Sequence, residues 1–138
     1  MRIKRDFYLK QLIDKKDNGR VKIITGIRRC GKSYLLFKLY KEYLSSVGVK
    51  ENQIIAIALD DIDNLKYRNP FNLNEYIKGE ITNKNKKYYV FIDEIQLSES
   101  VKNPYIENSE KNITFVDTVL GLMKVDNVDI YVTGSNSK

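Results

Sequence analysis

Eight residues near the start of the chain have the types and spacing of a phosphate-binding loop. Residues 26–33 match the pattern G-x-x-x-x-G-K-[ST] at every defined position. Gly26 and Gly31 allow the backbone to curl so that successive N–H groups point towards an anion. Lys32 supplies a positive charge for the β- and γ-phosphates of a nucleotide, and the Ser33 hydroxyl is a ligand for Mg²⁺. The predicted ATP-binding residues are Gly26, Ile27, Arg28, Arg29, Cys30, Gly31, Lys32 and Ser33.

Two carboxylates follow an apolar run later in the chain. Residues 89–92 are apolar, and Asp93 and Glu94 come directly after them. Ligands of open α/β sheets bind at the carboxyl ends of the strands, so this placement predicts that Asp93 lies beside the glycine-rich loop. We expect Asp93 to hold Mg²⁺ through water, and Glu94 to orient or deprotonate the attacking water. Taken alone, an Asp-Glu pair after a strand is more typical of a helix N-cap.

A third polar group follows the last apolar run, where residues 133–136 read Thr-Gly-Ser-Asn. A polar side chain at the end of this strand would reach the γ-phosphate or the attacking water. We expect Ser135 or Asn136 to have this role, which completes a predicted catalytic set with Lys32 and Glu94. An ordinary strand-terminating turn explains residues 133–136 almost equally well.

The rest of the pattern predicts the elements that would bring these groups together. Short apolar runs predict strands at residues 21–25, 53–59, 88–92 and 128–133. Apolar residues at helical spacing predict helices at residues 7–16, 32 to about 44, 72–81 and 114–124. Strands that alternate with helices indicate a three-layer α/β core with a mostly parallel sheet. We interpret residues 1–138 as one domain.

Local signals set some of the boundaries. We expect Asn72 to cap the third helix, and Thr114 with Asp117 to form a capping box at the start of the fourth. Residues 97–113 are polar and show no clear period, which predicts a long surface excursion. In the fourth helix the apolar spacing predicts four inward-facing residues, Val116, Val119, Leu120 and Met123.

Composition limits the chemistry that is available. The 138 residues include no histidine and one cysteine, Cys30, which excludes catalysis by Ser-His or Cys-His pairs and zinc sites built on histidine or clustered thiolates. The net charge of +6 is spread along the chain, and no nucleic-acid-binding motif accompanies it. No apolar stretch has the length of a signal peptide or membrane span, so we expect a cytoplasmic protein without a membrane partner.

The chain resembles the AAA-type P-loop ATPases of bacteria and archaea that carry a C-terminal domain of unknown function. Three runs carry the resemblance: residues 24–33, residues 93–96 (Asp-Glu-Ile-Gln) and residues 133–135 (Thr-Gly-Ser). The resemblance implies the strand order 1-4-3-2, with a fifth strand beside the first. It also implies an arginine finger and a C-terminal domain. Because these parts are missing from the sequence, we expect an N-terminal fragment of such a protein.

Two functions fit these residues. The first is Mg²⁺-dependent ATP hydrolysis that drives a conformational change in a missing C-terminal part or in a partner protein. The second is a nucleotide-gated binding module with little hydrolysis of its own. Glu94 favours the first, since a module that only binds needs no positioned base.

A small-molecule kinase is disfavoured, because residues 95–127 contain none of the arginines expected in a kinase lid. The unpaired edge of the first strand predicts self-association.

Overall fold

A parallel sheet forms the centre of the protein. The computed structural model describes residues 2–27 and 31–136, and within them the strands are β1 (Lys22–Ile27), β2 (Ile54–Ala58), β3 (Tyr88–Asp93) and β4 (Val128–Asn136). All adjacent strands are parallel, and their order across the sheet is β1-β4-β3-β2. The predicted α/β class and the strand order 1-4-3-2 are therefore confirmed.

Helices lie against both faces of this sheet. Helix α1 comprises Arg2–Asp14, α3 comprises Pro70–Glu80 and α4 comprises Phe115–Leu122. Helix α2 runs continuously through α-helical Lys32–Tyr34, π-helical Leu35–Tyr40 and α-helical Lys41–Ser46. Short 3-10 turns occupy Glu51–Gln53, Ile62–Arg68 and Ile95–Leu97. No helix in the described part of the chain is both long and apolar enough to cross a bilayer.

The side chains of β3 show how the three layers pack. Every residue of this strand is buried, as expected for a strand that has a neighbour on each side and helices on both faces. Val90 and Ile92 point into an apolar layer shared with α3 and α4. Tyr89 and Phe91 point the other way, into a layer shared with α1 and α2. Burial of both faces fixes the register of the strand that carries Asp93.

The start of α3 differs from the prediction, because Asn69 caps the helix and Asn72 does not. The Asn69 side chain accepts hydrogen bonds from the N–H groups of Phe71 at 2.9 Å and Asn72 at 3.4 Å. Pro70 takes the first helical position, where its fixed φ suits the helix and its missing N–H has no intrahelical partner to lose. Asn72 therefore lies inside the first turn.

Helix α4 starts as predicted, but it buries a different face. Its capping box is formed, and the N–H of Thr114 donates to Oδ2 of Asp117 at 2.9 Å. Of the four residues predicted to face inward, only Val119 is buried. The prediction was wrong for the other three, which are 60%, 55% and 46% exposed: Val116, Leu120 and Met123.

Two of these three residues, Val116 and Met123, lie close to β1. Val116 lines a cavity together with Thr25 of β1, and Met123 lines another together with Val21, which precedes β1. Within the described residues, α3 and α4 cover β2, β3 and β4 on this face, and no helix covers β1. The apolar spacing of α4 located the helix but not its buried face, which carries Thr118, Val119 and Leu122.

A buried ion pair joins β1 to β4 near the amino ends of both strands. Nζ of Lys22 contacts Oδ1 of Asp129, and these side chains are only 4% and 2% exposed. The Tyr131 hydroxyl donates to Oδ2 of Asp129 at 2.5 Å, and the N–H of Asp17 donates to the same oxygen at 2.9 Å. Three donors thus satisfy the carboxylate, which explains how a lysine is accommodated inside an otherwise apolar strand.

Residues 97–113 form the predicted excursion between β3 and α4. After the 3-10 turn Ile95–Leu97, the described backbone contains one isolated antiparallel bridge, between Val101 and Ile113. Two backbone hydrogen bonds of 2.9 and 2.7 Å close this bridge. The bridge brings the two ends of the excursion together, so the chain enters α4 close to the carboxyl end of β3.

Candidate functional site

The glycine-rich segment connects β1 to α2 at the carboxyl edge of the sheet. Gly26 and Ile27 end β1 and pair with Ser135 and Asn136 of β4. Gly31 has a φ of +85°, a conformation that favours glycine, and α2 begins at the next residue. The strand before the segment and the helix after it, which the pattern requires, are therefore present. Arg28, Arg29 and Cys30 lie outside the described residues.

The two residues that follow Gly31 reach the ends of other strands. Lys32 is buried, and its Nζ donates to Oγ of Ser135 at 2.7 Å. Ser33 is exposed, and its hydroxyl donates to Oδ2 of Asp93 at 2.6 Å. The start of α2 is thus connected to both β3 and β4. Four predicted site residues from three segments are in direct contact.

Thr133 joins the two predicted carboxylates, although it was not among the predicted site residues. This fully buried residue of β4 donates from its hydroxyl to Oδ1 of Asp93. The same hydroxyl accepts the backbone N–H of Glu94 at 2.9 Å. The sequence contains a signal for this role, namely a threonine near the end of the last strand. Once that threonine is aligned with Asp93 on the neighbouring strand, its hydroxyl is able to make both bonds. Reading that signal requires the register between β3 and β4.

Glu94 has a backbone conformation that is uncommon for a residue with a side chain. Its φ and ψ of 61° and 53° place it in the left-handed region. Such a conformation costs free energy and persists where surrounding contacts hold it, as the bond from Glu94 N–H to Thr133 does here. The turn directs the half-buried Glu94 side chain towards β4 instead of continuing the strand.

The Glu94 carboxylate meets two polar residues. Its Oε1 accepts a hydrogen bond from Nε2 of Gln96 at 2.6 Å and one from Oγ of Ser135 at 3.3 Å. Oε1 of Gln96 accepts the backbone N–H of Ser135 at 3.1 Å. Gln96 ends the Asp-Glu-Ile-Gln run, but it was not among the predicted site residues either. Ser135 contacts both Lys32 and Glu94.

Asn136 is placed only by its backbone. It is the last residue of β4 and pairs with Ile27 of β1, directly beside the glycine-rich segment. Its side chain lies outside the part of the chain that the structure describes. Of these two alternatives, Ser135 is therefore the one whose side chain is described, and that side chain contacts Lys32 and Glu94.

The assembled groups have a defined chemical capacity. A buried ammonium, three hydroxyls and two carboxylates converge at the carboxyl ends of three parallel strands, next to a helix N-terminus. An ammonium and a helix N-terminus together favour phosphate groups. Hard oxygen donors from a hydroxyl and a carboxylate suit Mg²⁺. A further carboxylate, Glu94, is available to accept a proton.

Comparison with known proteins agrees with this geometry. A family model described as "AAA domain" matches residues 18–138. An uncharacterised protein of Haemophilus influenzae is 31% identical over 136 residues, which cover 98% of this chain and 30% of that protein. An uncharacterised protein of Methanocaldococcus jannaschii is 29% identical over 140 residues, covering 99% of this chain and 24% of that protein.

The chain spans less than a third of the length of each of these relatives, 30% of one and 24% of the other. The family match covers most of the chain, including every predicted site residue. It supports nucleotide binding by a P-loop NTPase core, in agreement with the strand order and the convergence of side chains at the strand ends. The chain therefore belongs to the AAA domain family.

Proposed function

We propose that this domain binds ATP with Mg²⁺ and hydrolyses it. The observation that carries the proposal is the set of contacts at the carboxyl edge of the sheet. There Lys32 meets Ser135, Ser33 meets Asp93, and Glu94 is within hydrogen-bonding distance of Ser135. Each residue type suits one task of phosphoryl transfer to water, and the tasks must be performed within a few ångströms of one another.

Binding of the nucleotide would use the segment between β1 and α2. Backbone N–H groups of residues 26–33 and the N-terminus of α2 would surround the phosphates. The Lys32 ammonium would exchange its contact with Ser135 for the β- and γ-phosphate oxygens. Ser33 and Asp93 would hold Mg²⁺, with phosphate oxygens and water as the remaining ligands.

Hydrolysis would depend on Glu94. Its carboxylate would accept a proton from the water that attacks the γ-phosphorus, while the β–γ bridging oxygen leaves with the bond electrons. Ser135 lies between Lys32 and Glu94 and would contact the γ-phosphate or the attacking water, with Asn136 as the neighbouring alternative. The energy of hydrolysis would drive a conformational change in another part of the protein or in a partner, consistent with the greater length of the relatives.

Two substitutions test binding and hydrolysis separately. We expect Lys32→Ala to weaken Mg·ATP binding at least about tenfold, which corresponds to ~1.4 kcal/mol, because the phosphates lose their side-chain cation. Lys38→Ala, at an exposed position on the same helix, is the matched control. Glu94→Gln should keep Mg·ATP affinity and abolish turnover, because the amide has the shape of the acid but does not accept the proton.

Calorimetry and phosphate release on the parent and these variants give three distinct outcomes. Equal ATP affinity in the parent and Lys32→Ala would contradict the phosphate-binding role of residues 26–33. Binding that depends on Lys32, together with turnover that is unaffected by Glu94→Gln, would place the base elsewhere. Tight binding without measurable turnover in the parent would favour a nucleotide-gated binding module.

A further inference from the structure

Gln96 uses both ends of its side-chain amide at the candidate site. Nε2 donates to Oε1 of Glu94 at 2.6 Å, and Oε1 accepts the backbone N–H of Ser135 at 3.1 Å. Gln96 is an exposed residue in the 3-10 turn after β3. Holding a long, exposed side chain in one rotamer costs conformational entropy, and a charge-assisted bond to a carboxylate offsets that cost.

The two bonds act on different segments of the chain. Glu94 follows β3, whereas Ser135 lies near the end of β4. The backbone pairing between these strands extends only to Ile92 and Val132. Beyond that point Thr133 holds the backbone of Glu94, and Gln96 holds its carboxylate. The two side chains thus continue the connection between the strands where the ladder ends.

The bond from Gln96 also determines which oxygen of Glu94 is available. Oε1 accepts from both Gln96 and Ser135. Among the described residues, Oε2 of Glu94 has no hydrogen-bond donor. With Oε1 fixed by two donors from the protein, Oε2 is the oxygen left to accept a proton from water.

We propose that Gln96 is a positioning residue for Glu94, an inference that rests on the proposed hydrolysis. Gln96 fixes the carboxylate through Oε1 and ties its orientation to the backbone of Ser135. Ser135 in turn contacts Lys32, whose ammonium would meet the phosphates. The orientation of the Glu94 carboxylate therefore depends on Ser135, the residue that also contacts Lys32.

This role differs from a purely structural one in a measurable way. If Gln96 only satisfied the N–H of Ser135, its removal would loosen the end of β4 and weaken ATP binding and turnover together. If it positions Glu94, its removal lowers the rate of the chemical step and leaves the affinity for Mg·ATP intact. The effect also vanishes when Glu94 no longer acts as a base.

The experiment is a cycle of Gln96→Ala, Glu94→Gln and the double variant, with single-turnover hydrolysis and Mg·ATP affinity measured for each. We expect Gln96→Ala to slow hydrolysis at least about tenfold, since small misplacements of catalytic groups cost up to about a hundredfold. Affinity should stay within about twofold of the parent. In the Glu94→Gln background, where turnover is already abolished, Gln96→Ala should likewise leave the Mg·ATP affinity within about twofold.

Glu99→Gln is the matched control, since Glu99 lies on the same exposed segment and lines the same cavity as Gln96. A second readout needs no turnover: the NMR signal of the Ser135 backbone amide should move upfield in Gln96→Ala and stay in place in Glu99→Gln. An unmoved Ser135 signal would overturn the proposal, and so would a parent-like rate in Gln96→Ala when Glu94→Gln is inactive. Equal turnover in the parent and Glu94→Gln would instead place the base elsewhere and remove the role of Gln96, whereas a parent without measurable turnover would refute the proposed hydrolysis itself.

Discussion

The Ser33 hydroxyl donates a 2.6 Å hydrogen bond to Oδ2 of Asp93, a residue 60 positions further along the chain. Ser33 belongs to the first turn of α2, and Asp93 is the last residue of β3. Thr133 contacts the other carboxylate oxygen, Oδ1, and so fixes the plane of the carboxylate. Oγ of Ser33 and Oδ2 of Asp93, from α2 and β3, thus lie together next to Lys32. A divalent cation bound between them would also meet the nucleotide phosphates.

This pair predicts that Asp93→Asn changes the Mg²⁺ dependence of ATP binding. An amide keeps the shape and one oxygen but removes the negative charge that attracts the cation. We expect the ratio of ATP affinities with and without Mg²⁺ to fall at least about tenfold, or ~1.4 kcal/mol. Calorimetry with and without Mg²⁺ measures this ratio. Asp126→Asn, at an exposed position before β4, is the control, and an unchanged ratio in Asp93→Asn would argue against a metal at this position.

The Thr133 hydroxyl should matter for both stability and catalysis. Thr133→Val keeps the volume but leaves Oδ1 of Asp93 and the N–H of Glu94 without this partner, which should cost about 1–3 kcal/mol of unfolding free energy. Turnover should fall as well, because Glu94 loses the bond that holds its left-handed backbone conformation. Chemical denaturation and phosphate release measure the two effects.

Thr118→Val is the control for this substitution. Thr118 is also a buried threonine, and its hydroxyl donates to the carbonyl of Pro70 at 2.8 Å, remote from the strand ends. We expect Thr118→Val to lose a similar amount of stability and to keep its turnover. Equal loss of turnover in the two variants would show that Thr133 acts only through global stability.

Most of the architecture was predictable, because it follows from local patterns. The apolar runs located the four described strands, and Asp93 and Glu94 appear at the predicted end of β3. The end of β4 was predicted at Thr133, but the strand continues to Asn136 because Ser135 and Asn136 pair with Gly26 and Ile27 of β1. The capping box of Thr114 was readable because it needs only residues three positions apart. Asn69 was missed in favour of Asn72, since both are good caps and only the position of Pro70 separates them.

The parts that were missed depend on contacts between distant segments. Thr133 and Gln96 acquire their partners only when β3 and β4 are aligned in register and Glu94 turns into the left-handed region. The exposure of Val116 depends on what covers the sheet beside α4, which the spacing of its apolar residues does not specify. Periodicity predicts that a helix has an apolar face, but it does not identify the partner of that face.

Removal of one partner from the buried ion pair between Lys22 and Asp129 should cost much of the stability. Asp129→Asn would leave the Lys22 ammonium buried without its counter-charge, and we expect a loss of about 3–5 kcal/mol of unfolding free energy. Burial, followed by the hydrogen bond to Asp129, raises the pKa of the Tyr131 phenol, so this residue remains a donor at neutral pH. Thermal and urea unfolding at pH 7 measure the loss.

The exposed pair of Lys38 and Glu42 provides the comparison for the buried pair. Their charged atoms are 3.3 Å apart, and the two side chains are 59% and 61% exposed. Glu42→Gln should change the unfolding free energy by about 0.5 kcal/mol or less, because solvent screens the interaction. Similar losses in Asp129→Asn and Glu42→Gln would contradict the inference that burial gives the Lys22–Asp129 pair its importance.

The outer edge of β1 should allow the protein to self-associate. Within the described residues β1 pairs only with β4, and Ile23, on the face that α3 and α4 leave uncovered, is 63% exposed. An edge strand with free N–H and C=O groups beside apolar side chains is a template for another strand.

We expect sedimentation velocity to show an average mass that rises with concentration, and Ile23→Lys to shift it towards that of one chain. Ile62→Lys, at an isoleucine that is 77% exposed and follows β2, is the matched control. A parent that stays monomeric, or association that persists unchanged in Ile23→Lys, would show that this edge of β1 does not mediate contacts between chains.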